Sequence, residues 1–94
     1  LKVLEVCLEV HQTIFGILKH SNMNCISDIG VANHCILAGS NSALYNVIIN
    51  LKEINPNKAN KYKENANYYI KQINNYYLQI NSFVENELGI SNDK

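Results

Sequence analysis

An all-α fold, a long-helix antiparallel bundle with three helices, is what these 94 residues predict. Three observations carry that expectation. Apolar residues recur every three or four positions along three long segments, the mark of a helix with a buried face. Two of those segments open on residues that start helices. The clearest β-branched run, Val47-Ile48-Ile49, lies inside a helical period.

The first segment, about residues 1–19, sets Leu4, Leu8, His11, Phe15 and Leu18 on one stripe. Val3, Val6, Val10, Ile14 and Ile17 fill a second face, so this helix is expected to pack on two sides. Ser21 to Ser27 then interrupts the period with polar, turn-prone residues. The second helix is placed at about 28–51. Ser27 is the expected N-cap, with Asp28 in the first turn beside the positive end of the helix dipole. The third, about 56–88, follows Asn55-Pro56, an N-cap residue and a proline at the first helical position. Its core face reads Tyr62, Ala66, Tyr69, Ile73, Tyr76, Ile80 and Phe83, with Ile70, Tyr77 and Val84 widening it, and Gly89 is a natural stop. A helix of this length spans roughly 45 Å.

The second helix carries an unusual row of small or polar residues at helical spacing: Asp28, Ala32, Cys35, Gly39, Ser42, Asn46 and Asn50. A glycine within a helix costs about 1 kcal/mol relative to alanine, so something must offset it. The row predicts that this helix is the most buried of the three, with the Ala32-Gly39-Ser42 edge in close contact with another helix or lining a groove.

Composition narrows the function. Lys plus Arg and Asp plus Glu both number 8, for a net charge of zero, which lacks the basic face that nucleic acid demands. No apolar run reaches the roughly 18 residues of a membrane span. Cys7, Cys25 and Cys35 are odd in number and show no C-x-x-C spacing. Buried or half-buried reduced thiols and a cytoplasmic setting are expected, rather than disulfides or a zinc knuckle. His11 and His34 stand without Cys or carboxylate neighbours at ligand spacing, so no metal site is expected. His11 reads as a core or rim histidine, and His20 as a cation at the end of the first helix. Glycine patterns for phosphate or dinucleotide binding are absent.

The most specific stretch runs from Asn24 to Leu51. It reads Asn24-x-x-Ser27-Asp28-x-Gly30-Val31-Ala32, then Ala43-x-x-Asn46-Val47-x-Ile49-Asn50-Leu51. Both blocks, at this separation, resemble the signature of the formiminotransferase-cyclodeaminase and methenyltetrahydrofolate cyclohydrolase family. The first and third helices resemble that family in pattern, so the resemblance extends over residues 1–94, read as the C-terminal half of its helical domain. It implies a helical domain that forms a homodimer or larger oligomer and binds a tetrahydrofolate derivative as substrate, with no other cofactor. The implied chemistry is hydrolysis of the methenyl bridge, or ring closure of the formimino form with loss of ammonia. Ser42 stands where the family has glycine, and His34 where an apolar residue is expected. The family's glycine-rich block and catalytic acid are expected upstream of Leu1, so no catalytic residue is assigned and this chain alone is expected to be inactive.

By the same resemblance, the substrate-binding candidates are Ser42, Asn46, Asn50, Ser27 and Asp28. Asn46 and Asn50 are four apart on one helix face, so their amides can bond a single ligand or a single neighbouring helix. Asp28 and Asn50 are about 33 Å apart along a helix axis, too far to serve one reacting centre in one chain. Asp28 is therefore either a partner of the helix dipole or a contributor to a second chain's site. The tyrosines of the third helix supply either core packing or a surface for a pterin ring. A non-catalytic helical interaction module is the alternative reading of the whole.

Overall fold

The computed structural model describes residues 1–18 and 23–90. Among these, three helices and no strand are present: α1 (Lys2–Ile17), α2 (Met23–Leu51) and α3 (Pro56–Glu87). The all-α expectation holds. His20, expected to cap the first helix electrostatically, lies outside the described residues.

The ends of α3 are set by local chemistry. Asn55 caps its start, its side chain accepting from the Asn57 N–H at 2.8 Å, with Pro56 following. At its far end Gly89 has φ +77°. Its N–H reaches the Asn86 carbonyl at 3.2 Å, while the Ile90 N–H reaches that of Glu85 at 2.8 Å. This pair of bonds is a Schellman ending, which requires the left-handed conformation that glycine adopts without cost.

The start of α2 departs from expectation. The helix begins at Met23, so Ser27 is not its N-cap and Asp28 is beyond its first turn, both of them exposed. Asn24 and Cys25 are helical here, with Ile26, 2% exposed, buried against α3. Tertiary packing here outweighs the local turn preference. Because a helix end acts on charges only within about one turn, Asp28 is not a dipole partner.

The packing is up-down-up. Gly30 faces Val84, Asn33 bonds at Tyr77, and Leu44 and Val47 share a pocket with Ala66, so α2 and α3 run antiparallel. His11 bonds Asn33 while Leu4 shares a groove with Ala43, making α1 antiparallel to α2 and parallel to α3. The core lies in two apolar clusters, one around Leu4, Leu8, Ala66 and Ile73, the other around Leu18, Ile26, Ile80 and Val84. Phe15 and Tyr76 brace the second edge to face, with centroids 5.4 Å apart.

Among the described residues α2 does not stand out as the most buried helix: it buries Ile26, Asn33, Ser40 and Leu51, while α3 buries five. Those of α3 are Ala59, Ala66, Ile73, Ile80 and Val84, four of them spaced by seven as in packed helix pairs. The inward row of α2 is Ile26, Asn33 and Ser40, about 100° round the helix from the Gly39 row, and it includes two polar residues. Tyr62, assigned to the core face of α3, is exposed, as are Cys25 and Cys35; Cys7 is half-buried.

With a radius of gyration of 15.6 Å and extents of 49 × 29 × 15 Å, the bundle exceeds the roughly 12 Å radius of a compact domain this long. It is thin, and a thin bundle leaves apolar surface uncovered. Val3, Val6, Val10 and Ile17 on the second face of α1 are 41–58% exposed. Among the described residues, no helix is long and apolar enough to cross a membrane.

Candidate functional site

The expected binding residues fall in two places. Ser42, Asn46 and Asn50 line one open groove of about 380 Å³ together with Gly39, Ala43 and Val47. The opposite wall is the start of α1, with Leu1, Val3 and Leu4. The spacing explains this. Residues 39, 42/43, 46/47 and 50 make one helical row, and small side chains there leave space where α1 begins. Ser27 and Asp28 are exposed near the other end of α2, about 33 Å along the axis from Asn50. The structure does not bring them to this groove.

Of the Ala32-Gly39-Ser42 edge, Gly39 and Ser42 line the groove, the half-buried Ala32 does not, and the expected close contact at Gly39 is absent. Gly39 is exposed, and a Cβ built there would meet nothing within 4 Å. The tight approach occurs instead at Gly30, where a Cβ would sit 3.0 Å from Val84 Cγ1. Val84 is 4% exposed and belongs to the second core cluster, so it has little room to yield. A side chain at Gly30 of the Asn24–Ala32 block would therefore require Val84 to shift where α2 lies against α3.

The groove mixes apolar walls with amides. Asn46 and Asn50 are exposed, while the Ser42 hydroxyl donates to the Ala38 carbonyl at 2.9 Å within its own helix. That bond leaves Ser42 with acceptor capacity and no free proton. No lining side chain is acidic or basic. These residues can hold and orient a polar ring edge, but a proton must come from a group outside the groove.

A second polar arrangement does not follow from the sequence pattern. His11 and Asn33 are both 0% exposed. His11 Nε2 lies 2.8 Å from Asn33 Oδ1, and Asn33 Nδ2 donates to the Tyr77 carbonyl at 3.1 Å. Because the amide nitrogen is occupied as a donor, Oδ1 is the acceptor and the His11 proton sits on Nε2. Nδ1 is then an acceptor, buried with no hydrogen-bond partner among the described residues. Burial holds the His11 pKa below the ordinary imidazole value, against the opposing effect of its bonds at Asn33. Beside this link, the hydroxyl of the same Tyr77 meets Nδ1 of His34, the residue after Asn33, at 3.0 Å on the surface. One signal does mark Asn33: it stands seven residues from both Ile26 and Ser40 on the inward row.

Among the described residues, no group of three His, Cys, Asp or Glu side chains is placed to hold a metal ion. The tyrosines of α3 lie away from the groove, with Tyr69, Tyr76 and Tyr77 half-buried and Tyr68 exposed.

Comparison with known families adds one finding. The family model described as Formiminotransferase-cyclodeaminase matches residues 1–71, which include α1, α2, the groove and the first half of α3. No curated protein and no solved structure matches the chain. The chain belongs to the formiminotransferase-cyclodeaminase family, which associates it with folate one-carbon metabolism.

Proposed function

We propose that this chain supplies part of the tetrahydrofolate site of a methenyltetrahydrofolate cyclohydrolase or formimidoyltetrahydrofolate cyclodeaminase acting in the cytoplasm. The observation that carries the reading is the pair of exposed amides, Asn46 and Asn50, on one wall of a groove whose other wall is the apolar start of α1. A pterin has a flat apolar face and a polar edge, and such a groove can receive both. Both candidate reactions begin at the same amidine-like carbon. Water attack there opens the methenyl bridge, while attack by the neighbouring side-chain amine nitrogen on the formimino carbon, which the pterin-ring nitrogen carries, closes the bridge and expels ammonia. In this reading the groove orients the ring, and an acid from outside the groove moves the proton.

The same reading makes the assembly a homodimer or larger. Ser27 and Asp28 then serve a partner's groove through a twofold axis, since about 33 Å separates them from Asn50 on their own helix. The exposed row Val3, Val6, Val10 and Ile17 supports an associated state. It equally favours a second reading, a non-catalytic helical interaction module.

Calorimetric titration with methenyltetrahydrofolate separates the two. A tetrahydrofolate site predicts saturable binding that weakens several-fold in Asn46→Ala, the equivalent of about 0.5–1.5 kcal/mol for one amide bond, with the helical circular dichroism unchanged. Absence of binding by the complete domain, or unchanged binding with an earlier melt when Asn46→Ala is made in it, would overturn the site.

A further inference from the structure

We propose that His11 and Asn33 form an acid-sensitive latch: in mildly acidic solution a proton on His11 releases α1 from the α2–α3 pair. The pair ties all three helices together, since Asn33 of α2 accepts from His11 of α1 and donates to the Tyr77 backbone of α3. It sits between the two apolar clusters, with Leu8 and Ile73 on one side and Leu18 and Ile80 on the other.

The surroundings suit a neutral ring and nothing else. A second proton would enter at Nδ1, which is buried and meets no acceptor among the described residues. A buried unpaired donor carrying charge is among the costliest groups a core can hold. None of the elements packed around it offers a counter-charge. From Ile29 to Leu51, α2 contains no Asp, Glu, Lys or Arg, and from Gln72 to Val84 neither does α3. Their titratable groups nearest the pair are His34, beside Asn33, and the half-buried Tyr76 and Tyr77. On α1, the half-buried Cys7 thiol is one turn away and is itself pushed up by burial. Glu5 and Glu9 of α1 are at neither three nor four residues from His11, so they project from other rows of the helix.

The sign follows from linkage. Burial lowers the pKa of His11 in the folded chain, so above the ordinary imidazole value both states are neutral and the pair contributes no pH dependence. As pH falls through that value, near 6.5, the unfolded chain takes the proton first. Stability then drops until the folded ring is protonated too.

The test compares urea unfolding midpoints of the native chain, His11→Gln and His34→Gln between about pH 7.5 and about pH 5.5, the range in which imidazoles titrate. Glutamine at position 11 offers an amide N–H to Asn33 and cannot titrate. The expected result is a falling midpoint in the native chain and in His34→Gln, and a level one in His11→Gln. A fall that persists in His11→Gln would overturn the latch. Should His11→Gln not fold, imidazole NMR of the native chain decides. His11 must stay neutral, with its proton on Nε2, for as long as α1 remains docked; a cationic His11 in an intact bundle refutes the proposal.

Discussion

His11 Nε2 and Asn33 Oδ1, 22 residues apart in the chain, meet at 2.8 Å in a site that neither shares with solvent. Replacing Asn33 by leucine leaves the imidazole N–H buried with no acceptor. The expected cost is about 1–3 kcal/mol, read as a lower urea midpoint at neutral pH. Adding His11→Leu removes the stranded donor, so the double variant should be less destabilised than the sum of the singles. A cycle that adds without interaction would show that the two side chains are independent.

Two glycines of α2 should respond in opposite ways. Gly39 is exposed and open, so Gly39→Ala should raise stability by about 0.5–1 kcal/mol through helix propensity alone. Gly30→Leu pushes into Val84 and should lower stability by about 1–3 kcal/mol through overpacking. Thermal melts of the two variants give the comparison directly.

The two ends of α3 can be tested in the same way. Asn55→Ala removes the acceptor for the Asn57 N–H and should cost about 1 kcal/mol. Gly89→Ala places a Cβ on a residue at φ +77°, with an expected cost of about 1–2 kcal/mol. Equal midpoints for either variant and the native chain would mean that the corresponding end is frayed in solution.

In the groove, Ser42 and Asn46 should separate. The Ser42 hydroxyl already donates to Ala38, so Ser42→Ala should leave methenyltetrahydrofolate affinity within about twofold, as for a lost acceptor with no donor role. Asn46→Ala, in contrast, should weaken it several-fold. A large loss in Ser42→Ala would show that the hydroxyl turns towards the ligand on binding.

Rules that operate over three or four residues are legible in the chain by itself. The period of α3, its Asn55-Pro56 start and its Gly89 stop depend on bonds and backbone angles within a turn or two, and all three hold in the fold. The resemblance to the family is equally local, since two short blocks around Ser27-Asp28 and Asn46-Asn50 carry it, and the family match spans residues 1–71. That Ser42, Asn46 and Asn50 share a row also follows from helical spacing. The opposite wall of their groove does not, because the start of α1 is some forty residues away in the chain. Tertiary structure also decided which face of α2 points inwards. The row of small residues stands out by composition, yet Ile26, Asn33 and Ser40 form the buried row, with Leu51 buried at the helix end, because the neighbouring helices close on that side. In the sequence Asn33 is one of many asparagines; in the fold His11 and Tyr77 approach it from two other helices. Periodicity can say that a helix has an inside; only the partners that cover it determine which polar group must find its bonds there.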